Sequence, residues 1–288
     1  MEQTLQKKYD CLRRALAAQR ALAVAYSGGV DSTFLLAAAA EVCARVLAVT
    51  ACTDALPRRE LAEASAYAAA CGIAHTVVEL DAFAVPQFAQ NAPDRCYHCK
   101  KALFIRMAAA ARDAGFPVLC EGSNADDSAD YRPGLAAIAE LGIPSPLKDA
   151  GLTKQEIRAL SQQMHLPTWQ KPSYACLATR VPYGTPLTHA LLCKIDRAEQ
   201  VLHGLGFAAG RVRCHGDAAR IELPPESLAA AFAPEVRAAL SAGVHAAGFA
   251  YVALDLDGYR VGSFNETLPR EMRGAAAAPQ GEVQAVKA

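Results

Sequence analysis

The sequence lacks a long apolar run: no stretch reaches the roughly 18 uncharged apolar residues that a membrane span needs. Its first eight residues, MEQTLQKK, contain no apolar core of the kind found in a secretory signal peptide. An excess of charge is also missing, because 29 Lys and Arg balance 29 Asp and Glu. A neutral chain has no global basic field, which disfavours a non-specific nucleic-acid binder. We therefore expect a soluble, cytoplasmic protein with neither a membrane nor a nucleic-acid partner.

The chain also lacks the character of a disulfide scaffold, although it contains ten cysteines. Disulfide-rich secreted domains are short and loop-rich, whereas these cysteines are spread over 288 Ala-rich residues. Seven of them stand singly in helix-like or strand-like runs, and we expect them to be small buried hydrophobic residues. These seven are Cys11, Cys43, Cys52, Cys71, Cys120, Cys193 and Cys214.

Short apolar runs alternate with helical patterns in the first half of the chain. This alternation predicts an α/β fold with a parallel sheet covered on both faces. After about residue 168 the pattern changes to a turn-rich connection, one helix and strand-like segments, which predicts a smaller α+β domain. We therefore expect domains at 1–167 and 168–273, and a loose Ala/Pro/Gly-rich tail at 274–288. The predicted strands of the first domain lie near 22–26, 46–50, 75–80 and 117–121, and its last long helix runs from about 99 to 114.

A glycine-containing turn joins the first predicted strand to the next helix, in the sequence AYSGGVDST at 25–33. Gly28 and Gly29 allow a tight turn that presents successive backbone N–H groups, and the helix adds its positive end. The hydroxyls of Ser27, Ser32 and Thr33 supply further donors. Such surroundings suit a pyrophosphate, although an ordinary turn of small residues would also contain glycines. The turn is not a Walker loop, because the G-x-x-x-x-G-K-[ST] pattern is absent.

Two cysteines, Cys96 and Cys99, have C-x-x-C spacing near the start of a predicted helix. One such pair is ambiguous: it is typical of a redox pair, half of a zinc site or part of an iron–sulfur site. A second C-x-x-C, which would favour zinc, is missing. The remaining candidate is Cys176, which lies in an irregular, polar-flanked segment unlike those of the seven other cysteines.

The turn at 25–33 resembles the PP-loop of the ATP pyrophosphatase superfamily, whose members adenylate an oxygen of the substrate and release pyrophosphate. Asp31 then resembles a ligand for the Mg²⁺ that accompanies ATP. Together with five further stretches, the loop makes the chain similar to the LarE family over about residues 5–270. These stretches are RCYHCK at 95–100, EGSNADDSADYRPG at 121–134, 171–184, and GRVR at 210–213 with LDLDG at 254–258.

Members of the LarE family are ATP-dependent sulfur transferases that act in making the nickel-pincer nucleotide cofactor of lactate racemase. The resemblance implies an adenine nucleotide α-hydrolase-like fold. It also implies that a carboxylate of pyridinium-3,5-biscarboxylic acid mononucleotide is converted to a thiocarboxylate. A homo-oligomer such as a hexamer and a sulfide donor are further implied partners, and coenzyme A binding stays open.

The family has two sulfur chemistries. Members with one working cysteine give up its sulfur and end as dehydroalanine, whereas members with three cysteines hold a [4Fe-4S] cluster with one iron left free for sulfide. The resemblance to the second type implies Cys96, Cys99 and Cys176 as cluster ligands. A sacrificial Cys176 is the main alternative. A tRNA thiolase, an amidotransferase and a nucleotide-binding sensor are weaker alternatives. Zero net charge disfavours the basic surface of a tRNA thiolase, no glutaminase nucleophile set is found for an amidotransferase, and a sensor needs no cysteines.

Charged side chains in the second half offer candidate substrate contacts. Arg211 and Arg213 alternate on a predicted strand and so project from one face, where two guanidiniums suit a phosphate. Glu199 and Arg180 are expected to complete this site; the alternative is a set of solvent-facing charges balanced by Glu222 and Asp217. In the first half, Asp126, Asp127 and Asp130 follow the fourth strand, and this loop is expected either to face the nucleotide or to form a plain turn.

Overall fold

The computed structural model describes residues 3–129, 133–172 and 175–260. The predicted tail at 274–288, the end of the predicted second domain and Asp130 lie outside these residues. Within the described ranges, no helix is both long and apolar enough to cross a membrane.

The first sheet has four parallel strands in the order β3-β2-β1-β4. Their carboxyl ends therefore share one edge, and β1 has β2 on one side and β4 on the other. The predicted parallel α/β architecture is thus confirmed. The strands, with those of the second sheet, are β1 (Ala21–Ala25), β2 (Arg45–Cys52), β3 (Ala74–Glu79), β4 (Val118–Cys120), β5 (Arg211–His215), β6 (Ala218–Glu222) and β7 (Tyr251–Leu254).

Helices cover both faces of this sheet, and β1 is apolar because it is buried between them. The helices are α1 (Gln3–Ala17), α2 (Val30–Val42), α3 (Arg58–Ala70), α4 (Pro86–Ala89), α5 (Arg95–Asp113), α6 (Pro133–Glu140), α7 (Pro146–Asp149), α8 (Lys154–Gln163), α9 (His189–Gly204), α10 (Leu228–Ala231) and α11 (Pro234–Ala246). Short 3₁₀ helices occur at Ala82–Ala84, Ala125–Ala129, Leu177–Arg180 and Pro225–Ser227.

The second sheet is smaller and mixed, in the order β5-β6-β7. Strands β5 and β6 are antiparallel, whereas β6 and β7 are parallel, with α11 in the connection between them. This arrangement of strands and helices is the α+β region expected for the second part of the chain.

The apolar core of the second part also includes side chains from the first part. Ala55, which follows β2, and Phe88 of α4 belong to the same buried cluster as Leu177 and the apolar faces of α9, β5 and β6. The backbone N–H of Leu177 donates to the carbonyl of Ala55 at 3.0 Å. The segment that carries Cys176 is thereby fixed beside the carboxyl edge of the first sheet.

Two local predictions were wrong. Of the seven cysteines expected to be buried, Cys11, Cys71 and Cys193 are exposed, because they lie on outward-facing positions of helices or at a helix end. Helix α5 begins at Arg95 rather than near 99, so both cysteines of the C-x-x-C pair lie in its first turns. Its N-cap residue, Asp94, is of a type favoured at that position, although its side chain makes no capping hydrogen bond.

Candidate active site

The loop between β1 and α2 has the geometry of a phosphate cradle. Gly28 has a φ of +71°, a left-handed conformation that favours glycine, and a Cβ there would lie only 3.2 Å from the Cβ of Ala64. The hydroxyl of Ser32 lies 3.0 Å from that of Ser27 and accepts from the Ser27 backbone N–H at 3.2 Å. Of the hydroxyls predicted to contact phosphate, Ser27 is exposed, whereas those of Ser32 and Thr33 belong to buried residues.

The carboxylate of Asp31 faces two different environments. Its Oδ2 accepts from the ammonium of Lys154, the first residue of α8, at 2.5 Å. Its Oδ1 is buried and accepts no hydrogen bond from a described residue. A buried carboxylate oxygen with no donor is suited to a hard cation such as Mg²⁺, which prefers oxygen ligands, so the predicted role of Asp31 fits its surroundings.

The loop after β4 packs against the phosphate loop. A Cβ on Gly122 would lie 3.1 Å from the backbone nitrogen of Ser32, a tight contact, so this close approach favours glycine. Asp127 stabilises its own turn by accepting from the N–H of Asn124, whereas Asp126 joins the loop to α8 by accepting from the N–H of Lys154. The loops after β1 and β4 therefore meet where the direction of strand order reverses, which is where α/β sheets bind ligands.

Three thiols converge near this edge. Cys96 and Cys99 lie in the first turns of α5, and Cys176 immediately precedes the 3₁₀ helix at Leu177–Arg180. Burial raises the pKa of Cys99 to about 12, with the Cys176 and Cys96 thiols adding to the shift. Desolvation likewise raises the pKa of Cys176 to about 11, with Cys96 adding; although the residue is solvent-accessible, protein surrounds its thiol densely. Each thiol is thus close enough to the other two for their charges to repel.

The sulfur atoms of these three cysteines do not all lie within 4.8 Å of one another. Among the described residues, the one group of three potential metal ligands with such short separations is Asp54, Asp81 and His189. That group is exposed, and Asp81 also caps the 3₁₀ helix at Ala82–Ala84. A single tetrahedral ion brings its thiolates close together, whereas a four-iron cube separates them. The three thiols are therefore not arranged in advance as ligands of a single tetrahedral ion.

The predicted arginine site is buried rather than solvent-facing. Arg180 donates through Nε to Glu199 at 2.6 Å, and Glu199 also accepts from the backbone N–H of Val212. Arg213 pairs with Glu222 at 2.8 Å. The guanidinium of Arg211 lies on the ring of Tyr259. All three arginines are less than one-tenth exposed.

Thr179 joins the arginines to the cysteine. Its hydroxyl donates to the carbonyl of Cys176 at 2.8 Å and accepts from Arg180 at 2.7 Å. Its carbonyl accepts from Arg213 at 2.8 Å. The structure therefore brings Arg180, Arg213 and Cys176 into one hydrogen-bonded group.

Comparison with known proteins identifies the family of this chain. The family model described as asparagine synthase matches residues 5–116, which hold the phosphate loop. An uncharacterised protein of Synechocystis sp. is 39% identical over 267 residues, covering 92% of this chain and all of that protein. The pyridinium-3,5-bisthiocarboxylic acid mononucleotide synthase (LarE) of Lactiplantibacillus plantarum is 36% identical over 269 residues, covering 93% of this chain and 97% of the synthase. The chain belongs to the LarE family.

As a LarE-family protein with a PP-loop domain, the chain is an ATP-dependent enzyme. A further relative, an uncharacterised protein of Methanocaldococcus jannaschii, is 30% identical over 200 residues, covering 69% of this chain and 76% of that protein.

Three cations of this LarE-family site were missed by sequence reasoning. Lys154 contacts Asp31, as described above. Lys171 places its ammonium 3.1 Å from the Gly28 carbonyl and 2.8 Å from the buried Glu60. Arg95 is buried beside the thiols, stacks on the ring of Tyr183 and opposes the rise in the pKa of Cys99 and Cys176.

No short-range pattern points to Lys154 or Lys171, because each contacts residues more than 100 positions away. For Arg95 one signal was available: it directly precedes Cys96 in the sequence.

Proposed function

We propose that this chain is an ATP-dependent sulfur transferase that converts a carboxylate of pyridinium-3,5-biscarboxylic acid mononucleotide into a thiocarboxylate. The name of the L. plantarum relative supplies the substrate class. The observation that carries the proposal is the convergence of three thiols from distant parts of the chain beside the edge that holds the phosphate loop.

The first half of the reaction is adenylation. A substrate carboxylate oxygen attacks the α-phosphorus of ATP, and pyrophosphate leaves. The loop at 27–33 binds the departing phosphates with backbone N–H groups and hydroxyls. Asp31 would hold Mg²⁺, which neutralises phosphate charge. Making AMP a leaving group allows the carboxyl oxygen, otherwise a poor leaving group, to depart.

The second half is sulfur transfer. Hydrosulfide is the co-reactant: its sulfur attacks the acyl carbon, AMP departs with the electron pair of the C–O bond, and one proton is released. Cys96, Cys99 and Cys176 would hold a [4Fe-4S] cluster at three corners. When bound, the cluster supplies an iron without a protein ligand, to which sulfide can bind.

The buried arginines suit the phosphate of the mononucleotide. Arg180 and Arg213 are fixed by Glu199 and Glu222 and share Thr179 with Cys176. The guanidinium forks of Arg180 and Arg213 already bind these carboxylates, so contact with the phosphate requires them to exchange partner, and phosphate suits the same fork geometry. We propose that Arg180, Arg211, Arg213 and Glu199 place the substrate next to Cys176.

The test is pyrophosphate release under anaerobic conditions with the pyridinium dicarboxylate mononucleotide, with tRNA, and with no acceptor. We expect release with the mononucleotide alone. Release that depends on tRNA would contradict the proposal and favour a tRNA thiolase.

Two variants separate the halves of the reaction. Asp31→Asn should lose pyrophosphate release, whereas Cys96→Ser should retain it and lose thiocarboxylate formation. Cys193→Ser is the matched control, because Cys193 is exposed on α9 outside the site. An equal loss of both steps in Cys96→Ser would show that this thiol is not specific to sulfur transfer.

The LarE-family assignment carries the further proposal of a homo-oligomer, with a hexamer as the specific expectation. Light scattering that shows a monodisperse monomer at working concentration would contradict it.

A further inference from the structure

Lys154 is a cation at the phosphate loop that the proposed chemistry leaves unexplained. It is the first residue of α8, and its ammonium lies 2.5 Å from Oδ2 of Asp31. The two side chains are 28% and 22% exposed, so the pair is neither at the open surface nor sealed in the core. The backbone N–H of Lys154 donates to Asp126 of the loop after β4 at 2.8 Å.

The backbone of Lys154 is fixed independently of this ion pair. Thr153 and Glu156 form a reciprocal capping box at the start of α8, and Glu156 also pairs with Lys8 at 2.8 Å. The start of α8 is therefore held in place whether or not the ammonium contacts Asp31. The Lys154 ammonium is carried on a flexible four-carbon stem and can change partner at little cost.

The two possible partners of Asp31 compete. An ammonium and a divalent cation both neutralise the same carboxylate, and Mg²⁺ bound there would repel the ammonium. The triphosphate of ATP, in contrast, brings several negative charges to the loop, which lacks the lysine of a Walker motif. A lysine released from Asp31 thus has a new anionic partner within the same site.

We infer that Lys154 is a phosphate-binding residue that leaves Asp31 for the β- and γ-phosphates when Mg²⁺ and ATP enter the loop. The inference rests on the ATP-dependent reaction proposed above. In the nucleotide-free protein Lys154 neutralises Asp31, and in the loaded protein it neutralises the group that departs as pyrophosphate.

Lys154→Met tests the exchange, because it keeps most of the side-chain volume and removes the charge. The probes are Mn²⁺ alone, Mg²⁺ with ATP, and AMP, measured by electron paramagnetic resonance for Mn²⁺ and by calorimetry for nucleotides. Without its competitor, Mn²⁺ should bind about threefold to tenfold more tightly. ATP should bind about tenfold or more weakly, since a charge-assisted hydrogen bond is lost. AMP, which lacks both phosphates, should bind as before.

Lys8→Met is the matched control, since it removes an ion pair from the same first turn of α8 without touching Asp31. It should leave all three affinities unchanged, and Lys154→Arg should restore part of the ATP affinity. If Lys154→Met weakened the binding of ATP and AMP equally, or left the affinities for Mn²⁺ and ATP unchanged, the inference about Lys154 would be overturned. The proposed function would not be affected by either result. Failure of the unaltered protein to bind ATP at all would overturn both the inference and the proposed function.

Discussion

The two sheets of this protein differ in what they bury. The strands of the first sheet bury no charged side chain, and the buried charges of the first part, such as Glu60 and Glu121, lie beyond its strands. The second sheet buries full charges: Arg211 and Arg213 on β5 and Glu222 on β6 are each less than one-tenth exposed. Arg180 and Glu199 beside it are equally buried.

The two parts of the chain therefore combine stability with function in different ways. Buried ion pairs contribute little net stability, because desolvation offsets their attraction, yet removing one partner leaves a buried charge uncompensated. The stability of the second part therefore depends on these buried charges being paired. At the phosphate loop, by contrast, binding relies on backbone groups that the fold positions in any case.

The largest effect on stability is expected from Glu199→Ala. This change leaves Arg180 buried without its 2.6 Å partner and removes the acceptor of the Val212 N–H. Loss of one member of a buried ion pair costs about 3–5 kcal/mol of the free energy of unfolding, which urea denaturation would measure.

Arg13→Ala is the control for Glu199→Ala. Arg13 lies 3.6 Å from Glu41, and both side chains are more than two-fifths exposed. A surface pair of this kind contributes no more than about 1 kcal/mol. Similar losses in the two variants would contradict the distinction between buried and exposed charges.

A smaller effect, on activity, is expected from Lys171→Met. Lys171 connects the segment before Cys176 to the phosphate loop through Gly28 and to α3 through Glu60 and Glu63. Without this connection the thiol should be misplaced relative to bound nucleotide, and misplacement by about 1 Å lowers rates by up to about a hundredfold. We expect thiocarboxylate formation to fall more than pyrophosphate release, measured side by side.

Arg158→Met is the control for Lys171→Met. Arg158 binds the carbonyls of Trp169 and Lys171, so its removal loosens the same segment from α8 and leaves the phosphate loop connected. The two activities should then change together. The same separation of activities in both variants would show that general anchoring, and not the link to the loop, controls sulfur transfer.

The smallest effect is expected from His203→Gln, at the boundary between the two parts. Burial, together with the nearby Arg59, lowers the pKa of His203 to about 4. The folded protein therefore binds fewer protons than the unfolded chain between about pH 6.5 and 4. Its free energy of unfolding consequently decreases as the pH is lowered through that window. The variant should show a flatter pH dependence of the unfolding free energy there, and an unchanged slope would contradict the assignment.

The same two regions differ in how far their sequence predicts them. The phosphate loop, the order of elements and the four parallel strands follow from local patterns, because a glycine turn between an apolar run and a helix is a short-range signal. The pairing of Arg180 with Glu199, and the exchange of partners inferred for Lys154, depend on residues 19 and 123 positions apart. Nothing local specifies such contacts. The sequence placed Glu199 with Arg180 and offered Glu222 as a balancing charge, but it did not predict which arginine each carboxylate binds or that these pairs are buried.

The cysteines show the same limit. Spacing alone brings Cys96 and Cys99 together on one helix, whereas the approach of Cys176 depends on the hydrogen bond between Leu177 and Ala55 and on a core shared by both parts. Exposure of the single cysteines at 11, 71 and 193 depends on which helix face meets the core, and their short sequence surroundings did not predict it.

The central claim is that three thiols act together and survive turnover, and anaerobic multiple-turnover assay with intact-mass measurement tests it most directly. The account predicts a brown protein with about four irons per chain, more than one thiocarboxylate formed per chain, and an unchanged mass afterwards. Cys→Ala at any of the three positions should remove the iron and its charge-transfer band. A colourless, iron-free protein that reacts once and loses the elements of H₂S at Cys176 would contradict the account and establish sacrificial transfer.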